Sequence, residues 1–172
     1  MDIVDAIERR QSVREFTKDP VPDVFINEAL RMATLAPSAG NLQARDFIVV
    51  RDEETKSRLA TAAHGQDFTR TAPVVVVCCA NMERIENYGP RGRELYCLQD
   101  VASSVENLLL YATSQGFGSC WVGAFEETSI SAILEIPRHS RPVAMIPIGV
   151  PKTERRSPSR LPSEEVVHIE KW

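Results

Sequence analysis

Two stretches hold residue types that could do chemistry: Arg9-Arg10-Gln11-Ser12-Val13-Arg14 and Ala36-Pro37-Ser38-Ala39-Gly40-Asn41-Leu42-Gln43. Three arginines and a serine where a short helix ends can hold a phosphate, because guanidinium forks donate to its oxygens and a hydroxyl adds a further donor. If the chain leaves that helix extended, Arg10, Ser12 and Arg14 fall on one side. The alternative is a solvated basic face, which contributes little. The second stretch is a turn rich in small residues, where backbone and amide groups can approach a flat ligand closely. In this order the two suggest a nucleotide-like cofactor with an anionic tail.

Gly116-Phe117-Gly118-Ser119-Cys120-Trp121 begins like a dinucleotide fingerprint. The third glycine position holds Trp121, however, and a helix rather than a strand precedes the motif, so a Rossmann site is not expected. The glycines fit a close approach of backbone to a ligand, or a tight helix-to-strand turn around a core Trp. His64, His139 and His168 are scattered without a carboxylate or cysteine at ligand spacing, so no metal is expected. Cys120 reads as a core cysteine rather than a redox thiol. Ser103-Ser104 has no base within helical reach and gains no nucleophilic role.

The elements that must position these groups follow from periodicity. Ile3 to Arg10 reads as a short helix, and a second runs from an Asp23 cap through Phe25, Ile26, Ala29, Leu30 and Ala33 to the turn before Pro37. Phe47–Val50 is a short strand, Asp52–Ala63 a helix, and Val74–Cys79 a buried central strand. Asn81 to Gly92 is polar, with Pro90 and two glycines, and reads as a loop. Glu94 to Gln115 is the longest helix, about 33 Å, and apolar on several sides, as a buried or partner-covered rod is. Ser119–Val122 and Pro142–Val150 read as strands and Ser129–Leu134 as a helix. Residues 152–172 form a proline-rich, charged tail ending in the strand-like Val166-Val167-His168-Ile169.

At 172 residues the chain suits a single domain, 1–172. Its net charge of −4 argues against nucleic acid as the main partner. The basic residues are local, at Arg9, Arg10 and Arg14 and at Arg155, Arg156 and Arg160, a pattern suited to a small anion. No apolar run reaches the roughly 20 residues that span a bilayer, and the first residues lack a signal pattern. Cys78, Cys79, Cys97 and Cys120 form no C-x-x-C pair and read as buried free thiols of a reducing cytoplasm.

With these pieces in order, the chain resembles the nitroreductase-like, FMN-dependent NAD(P)H oxidoreductases. The resemblance rests on residues 9–16, 36–43, Gly116 to Phe125, Pro147-Ile148-Gly149-Val150-Pro151, Arg160 and the closing Glu170-Lys171-Trp172, and it covers essentially the whole chain. It implies an α+β fold, a central and mostly antiparallel sheet flanked by helices, in an intertwined homodimer with 152–172 as an arm. It implies that Arg9, Arg10, Gln11, Ser12, Arg14 and Arg160 grip the FMN phosphate and ribityl chain. Pro37, Ser38, Ala39 and Asn41 would reach the flavin from the other subunit, and Gln66 would face the ring. The backbone at Val122 and Gly123 would lie near flavin N5, where a donor stabilises developing charge. The implied reaction is ping-pong transfer from NADH or NADPH to a nitroaromatic, quinone or free flavin, with the chemistry on the cofactor. A dehalogenase or flavin-cleaving enzyme of the same fold, or an FMN carrier or sensor, stays open as an alternative.

Overall fold

The apolar run from Val74 to Asn81 becomes strand β2 of a four-stranded antiparallel sheet, ordered β1 (Arg45–Val50), β2, β4 (Ser140–Gly149), β3 (Gly118–Ser119). The computed structural model of the chain describes residues 1–153 and 159–172. Every residue of β2 is buried, and the pleat sorts its side chains two ways. Val74, Val76, Cys78 and Ala80 join one core, with Ala144, Ile146 and Ile148 of β4. Val75, Val77 and Cys79 join a second core on the other face, with Met145. The β-branched content that marked this strand therefore serves two faces at once.

Helices α1 (Ile3–Arg9), α2 (Asp23–Thr34) and α6 (Cys97–Ser114) pack together, and α2 and α6 cover the first face. Helices α3 (Glu53–Ala62), α4 (Asp67–Thr71) and α7 (Glu127–Ile133) lie on the second. Asp52 caps α3, accepting from the Thr55 amide at 2.7 Å. Such a bond satisfies one of the donors a helix start leaves orphaned. Lys56 ties α3 to the end of α4, its Nζ donating to the Ala72 carbonyl at 2.6 Å.

Several elements differ from expectation. The cap of α2 is Pro22, and Asp23 is already inside the first turn; its carboxylate meets Arg51 at 2.7 Å instead. Residues 81–92 are not simply a loop. After a 3-10 turn at Glu86–Tyr88, the single turn α5 (Gly89–Arg91) runs through a π turn (Gly92–Tyr96) into α6. The strand expected at Ser119–Val122 stops at Ser119, and Val122 makes only one bridge, to Met145. Trp121 is no core residue, being 40% exposed. In the tail, Ser163–Glu165 forms a 3-10 turn and 166–169 form no strand. Val166, Val167, Ile169 and Trp172 are exposed. Arg155 and Arg156 lie outside the described residues.

Candidate functional site

The segment after α1 leaves the helix extended, and Ser12 bridges to Ser119 in parallel fashion. The Val13 amide donates to the Ser119 carbonyl at 2.9 Å. This pins the basic segment along the end of β3 and brings Ser12, Arg10 and Arg14 around Cys120. Burial pushes the Cys120 thiol up, against the Arg14 charge, a hydrogen bond with Ser12 and the Arg10 charge. With Cys120 at 1% exposure, it is a floor beneath a cluster of cationic donors. The Arg14 guanidinium stands 5.7 Å over the Phe68 ring of α4, and Arg10 is held loosely by Glu106 of α6 at 3.8 Å. Arg9 is exposed in the last turn of α1, and Gln11 is half-buried. The alternating side expected from the spacing is thus formed by a bridge to β3.

Next to this cluster lies the loop from Trp121 to Phe125. Val122 exchanges both backbone bonds with Met145, at 2.9 Å each. Its N–H is therefore spent on the sheet, which narrows the expected pair of backbone donors to one. Among the described residues the Gly123 N–H meets no acceptor, and Gly123 is exposed. Gln66 steadies this loop from α4: its Nε2 donates to the Ala63 and Ala124 carbonyls, both at 3.0 Å. A third donor, the Glu126 amide, bonds the Ala62 carbonyl at 2.9 Å. The cationic cluster, an open backbone N–H and a pinned amide share one side of the molecule, at the margin of the second core. The donor set suits an anionic tail joined to a flat ring that accepts hydrogen bonds at its edge.

The turn of Pro37, Ser38, Ala39 and Asn41 lies elsewhere. Ala39 and Leu42 pack on the first core, over the opposite face of the sheet. Pro37, Gly40 and Asn41 are exposed. No described contact joins this turn to Arg10, Ser12 or Gly123 within one chain. Arg160, beyond the undescribed segment, is exposed, with Nη1 donating to the Ser159 carbonyl at 3.4 Å. Two residues under the turn escaped the sequence reading. Arg45, at the start of β1, and Asp100, in α6, are 4% and 3% exposed, and both hold the turn's backbone. An arginine opening a strand and an aspartate next to the apolar stripe of a long helix were the available signals.

The α+β scaffold thus carries a cluster of cationic donors beside an open backbone N–H. The chain belongs to the nitroreductase family: the model of the "Nitroreductase family" matches residues 7–66 and 60–150. It is 32% identical to an NADH dehydrogenase of Thermus thermophilus over 195 residues, covering 97% of this chain and 95% of that one. It is 26% identical to the FMN reductase [NAD(P)H] of Bacillus subtilis over 185 residues, 99% of this chain and 74% of that one. Among solved structures, the NADPH:FMN oxidoreductase from Vibrio harveyi complexed with NAD+ superposes with a TM-score of 0.92. That match is 25% identical and covers 99% of this chain and 77% of that one. The expected α+β fold with an antiparallel sheet is the one observed.

Proposed function

We propose that this protein is an FMN-dependent oxidoreductase that oxidises NADH or NADPH and reduces a small acceptor, a nitroaromatic, quinone or free flavin, in ping-pong fashion. The observation that carries this reading is the convergence of Arg10, Ser12 and Arg14 on Cys120 beside the open Gly123 N–H. When bound, FMN supplies the chemistry, accepting a hydride equivalent and delivering electrons to the second substrate in the same site. The chain's own residues bind and orient. Arg10, Ser12 and Arg14, with Arg9, Gln11 and Arg160, hold the phosphate and ribityl chain. The Gly123 N–H donates toward the ring edge where negative charge develops, and Gln66 keeps that loop in place.

The Pro37–Asn41 turn meets the flavin from a second copy. In one chain the sheet separates the turn from the cradle, so a ligand touching both sits between two chains. An apolar groove of ≈ 350 Å³ between α1, α2 and α6, lined by Ile3, Met32, Leu35, Leu110 and Tyr111, supports a homodimer. So do the exposed Val166, Ile169 and Trp172 in the described part of the C-terminal arm, available to cross to the partner. Among the described residues no helix is long and apolar enough to cross a membrane. The four free, buried cysteines support a reducing cytoplasm.

The visible absorption spectrum of the purified protein, with the released chromophore identified by mass, tests the cofactor. NADH and NADPH oxidation with menadione tests the activity, and turnover no faster than free FMN sinks it. A monomeric, FMN-loaded species in light scattering would contradict the shared site.

A further inference from the structure

We infer that Arg45 and Asp100 are positioning residues that preset the Pro37–Asn41 turn in the shape that meets the flavin. The inference rests on the reading that this turn touches FMN. Its backbone is one the chain would not adopt unaided. Gly40, Asn41 and Gln43 have φ of +57°, +56° and +52°, three left-handed positions in four residues, two of them carrying side chains.

Two buried charges hold it there. The Arg45 guanidinium donates through Nη2 to the carbonyls of Thr34 (2.7 Å) and Ala36 (2.9 Å), and through Nη1 to that of Pro37 (3.2 Å). Thr34 is the last residue of α2, whose carbonyl has no helical partner, and Ala36 and Pro37 lie just beyond the helix end. A planar fork spreads these bonds over two nitrogens held in one plane, whereas an ammonium must make them from a single nitrogen. The Asp100 carboxylate brackets the turn from both ends, accepting from the Ala39 amide at 2.9 Å and the Ala44 amide at 3.2 Å. The Ser38 hydroxyl closes the loop inside this bracket, accepting from the Gln43 amide at 3.0 Å. From outside, the Tyr88 hydroxyl sits so close over Gly40 that a Cβ there would stand 2.7 Å from it.

Ending a helix needs no buried charged side chains, since a glycine and water suffice. Two ionised side chains taken out of water to hold five residues are costly unless their geometry is used. The use is visible in what remains: the turn's inward polar groups are taken by Arg45 and Asp100, while Pro37, Gly40 and Asn41 face outward. A surface fixed before the ligand arrives loses little freedom on binding, so affinity depends on the clamp.

The test compares FMN binding by wild-type, Asp100→Asn and Arg45→Lys proteins. The readouts are fluorescence quenching, the bound-flavin absorption spectrum at saturation, and melting of the FMN-free proteins. Asn at 100 sets an amide donor against a backbone N–H. FMN affinity is expected to fall about ten-fold or more, with a changed bound-flavin band shape, and Arg45→Lys should move both in the same direction. Folded variants with lower melting temperatures but wild-type FMN affinity and spectrum would show a merely structural role and overturn the inference. If Asp100→Asn does not fold, Arg45→Lys carries the test; if neither folds, the role is structural and the inference is rejected. Wild-type protein that takes up no FMN overturns the flavin reading itself, and this inference with it.

Discussion

Gly118→Ala probes the join between fold and site. Gly118 opens β3 directly against Val13, and a Cβ at 118 would lie 2.8 Å from the Cβ and both Cγ atoms of Val13. None of these is the far end of a flexible side chain. Val13 is β-branched, with few rotamers open to it. It is 7% exposed, and its amide is bonded to the Ser119 carbonyl. Ordinary contact between such carbons needs about 3.5–4.0 Å, so backbone must separate by most of an ångström. Overpacking of this kind costs about 1–3 kcal/mol. For a chain of this size each kcal/mol lowers the melting temperature by about 2–4 °C, so a fall of roughly 2–12 °C is expected in the FMN-free protein. The displaced residue sits between Ser12 and Arg14, so FMN affinity should fall as well. Melting followed by circular dichroism and FMN titration read the two effects. Val13→Ala in the same chain removes the two Cγ overlaps but keeps the Cβ one, so it should recover part of the loss, giving a favourable coupling in a double-mutant cycle. If Gly118→Ala melts within a degree of wild type and binds FMN equally well, the packing of the basic segment on β3 is wrong.

Three further outcomes follow from named contacts. If Arg10 grips the FMN phosphate, Arg10→Ala removes a charge-assisted bond worth about 1.5–3 kcal/mol and should weaken FMN binding roughly ten-fold or more; unchanged affinity removes Arg10 from the phosphate site. Burial pushes all four thiols up, Cys79 to about 11. The native protein at pH 8 should therefore resist a disulfide exchange reagent, and all four cysteines should react once guanidinium unfolds it. Fast native labelling would contradict this. The Arg141 fork, donating through Nε and Nη2 at 2.7 Å each, holds the Glu127 carboxyl below its ordinary range. A depressed folded value means the pair's contribution is present above the unfolded value near 4.5 and is lost as pH falls through the lower folded one. Both side chains are about two-fifths exposed, so that contribution is below about 1 kcal/mol. Glu127→Gln should lower urea midpoints slightly at pH 7 and by less at pH 3; the reverse order refutes the sign.

Where sequence and structure part, the cause is distance along the chain. The β-branched run of β2 and the apolar spacing of α2 are local signals, and both elements formed where expected. Pro90 and its flanking glycines looked like breakers, yet proline inside the first turn is a helix-start residue, and Gly89–Arg91 runs into α6. Val166-Val167-His168-Ile169 has strand composition but no neighbouring strand to pair with, and composition alone does not make a sheet. That Arg10 and Ser12 share a side was legible from their alternate positions in an extended segment, and both approach Cys120. That the Val122 N–H is spent on Met145, 23 positions on, could not be read from either residue. Nor could the grip of Asp100 on Ala39, 61 positions away.

The separation of the turn from the cradle has a consequence that a mixed dimer exposes. If each site takes its cradle from one chain and its turn from the other, defects in the two parts should complement. Arg10→Ala impairs the cradle. Gly40→Ala impairs the turn, since it puts a Cβ 2.7 Å from the Tyr88 hydroxyl at a φ of +57°, where side chains are disfavoured. Each homodimer then has two defective sites. In the heterodimer, one site receives both defects and the other receives neither. Co-expression with two affinity tags isolates that heterodimer, and its FMN titration should be biphasic, one site binding with wild-type affinity and the other far weaker. A cis arrangement predicts something different. Each chain would keep its own single defect whatever its partner, and no wild-type site would appear. Heterodimers lacking a tight phase would therefore refute the shared site, even if both chains bind FMN and turn over NADH.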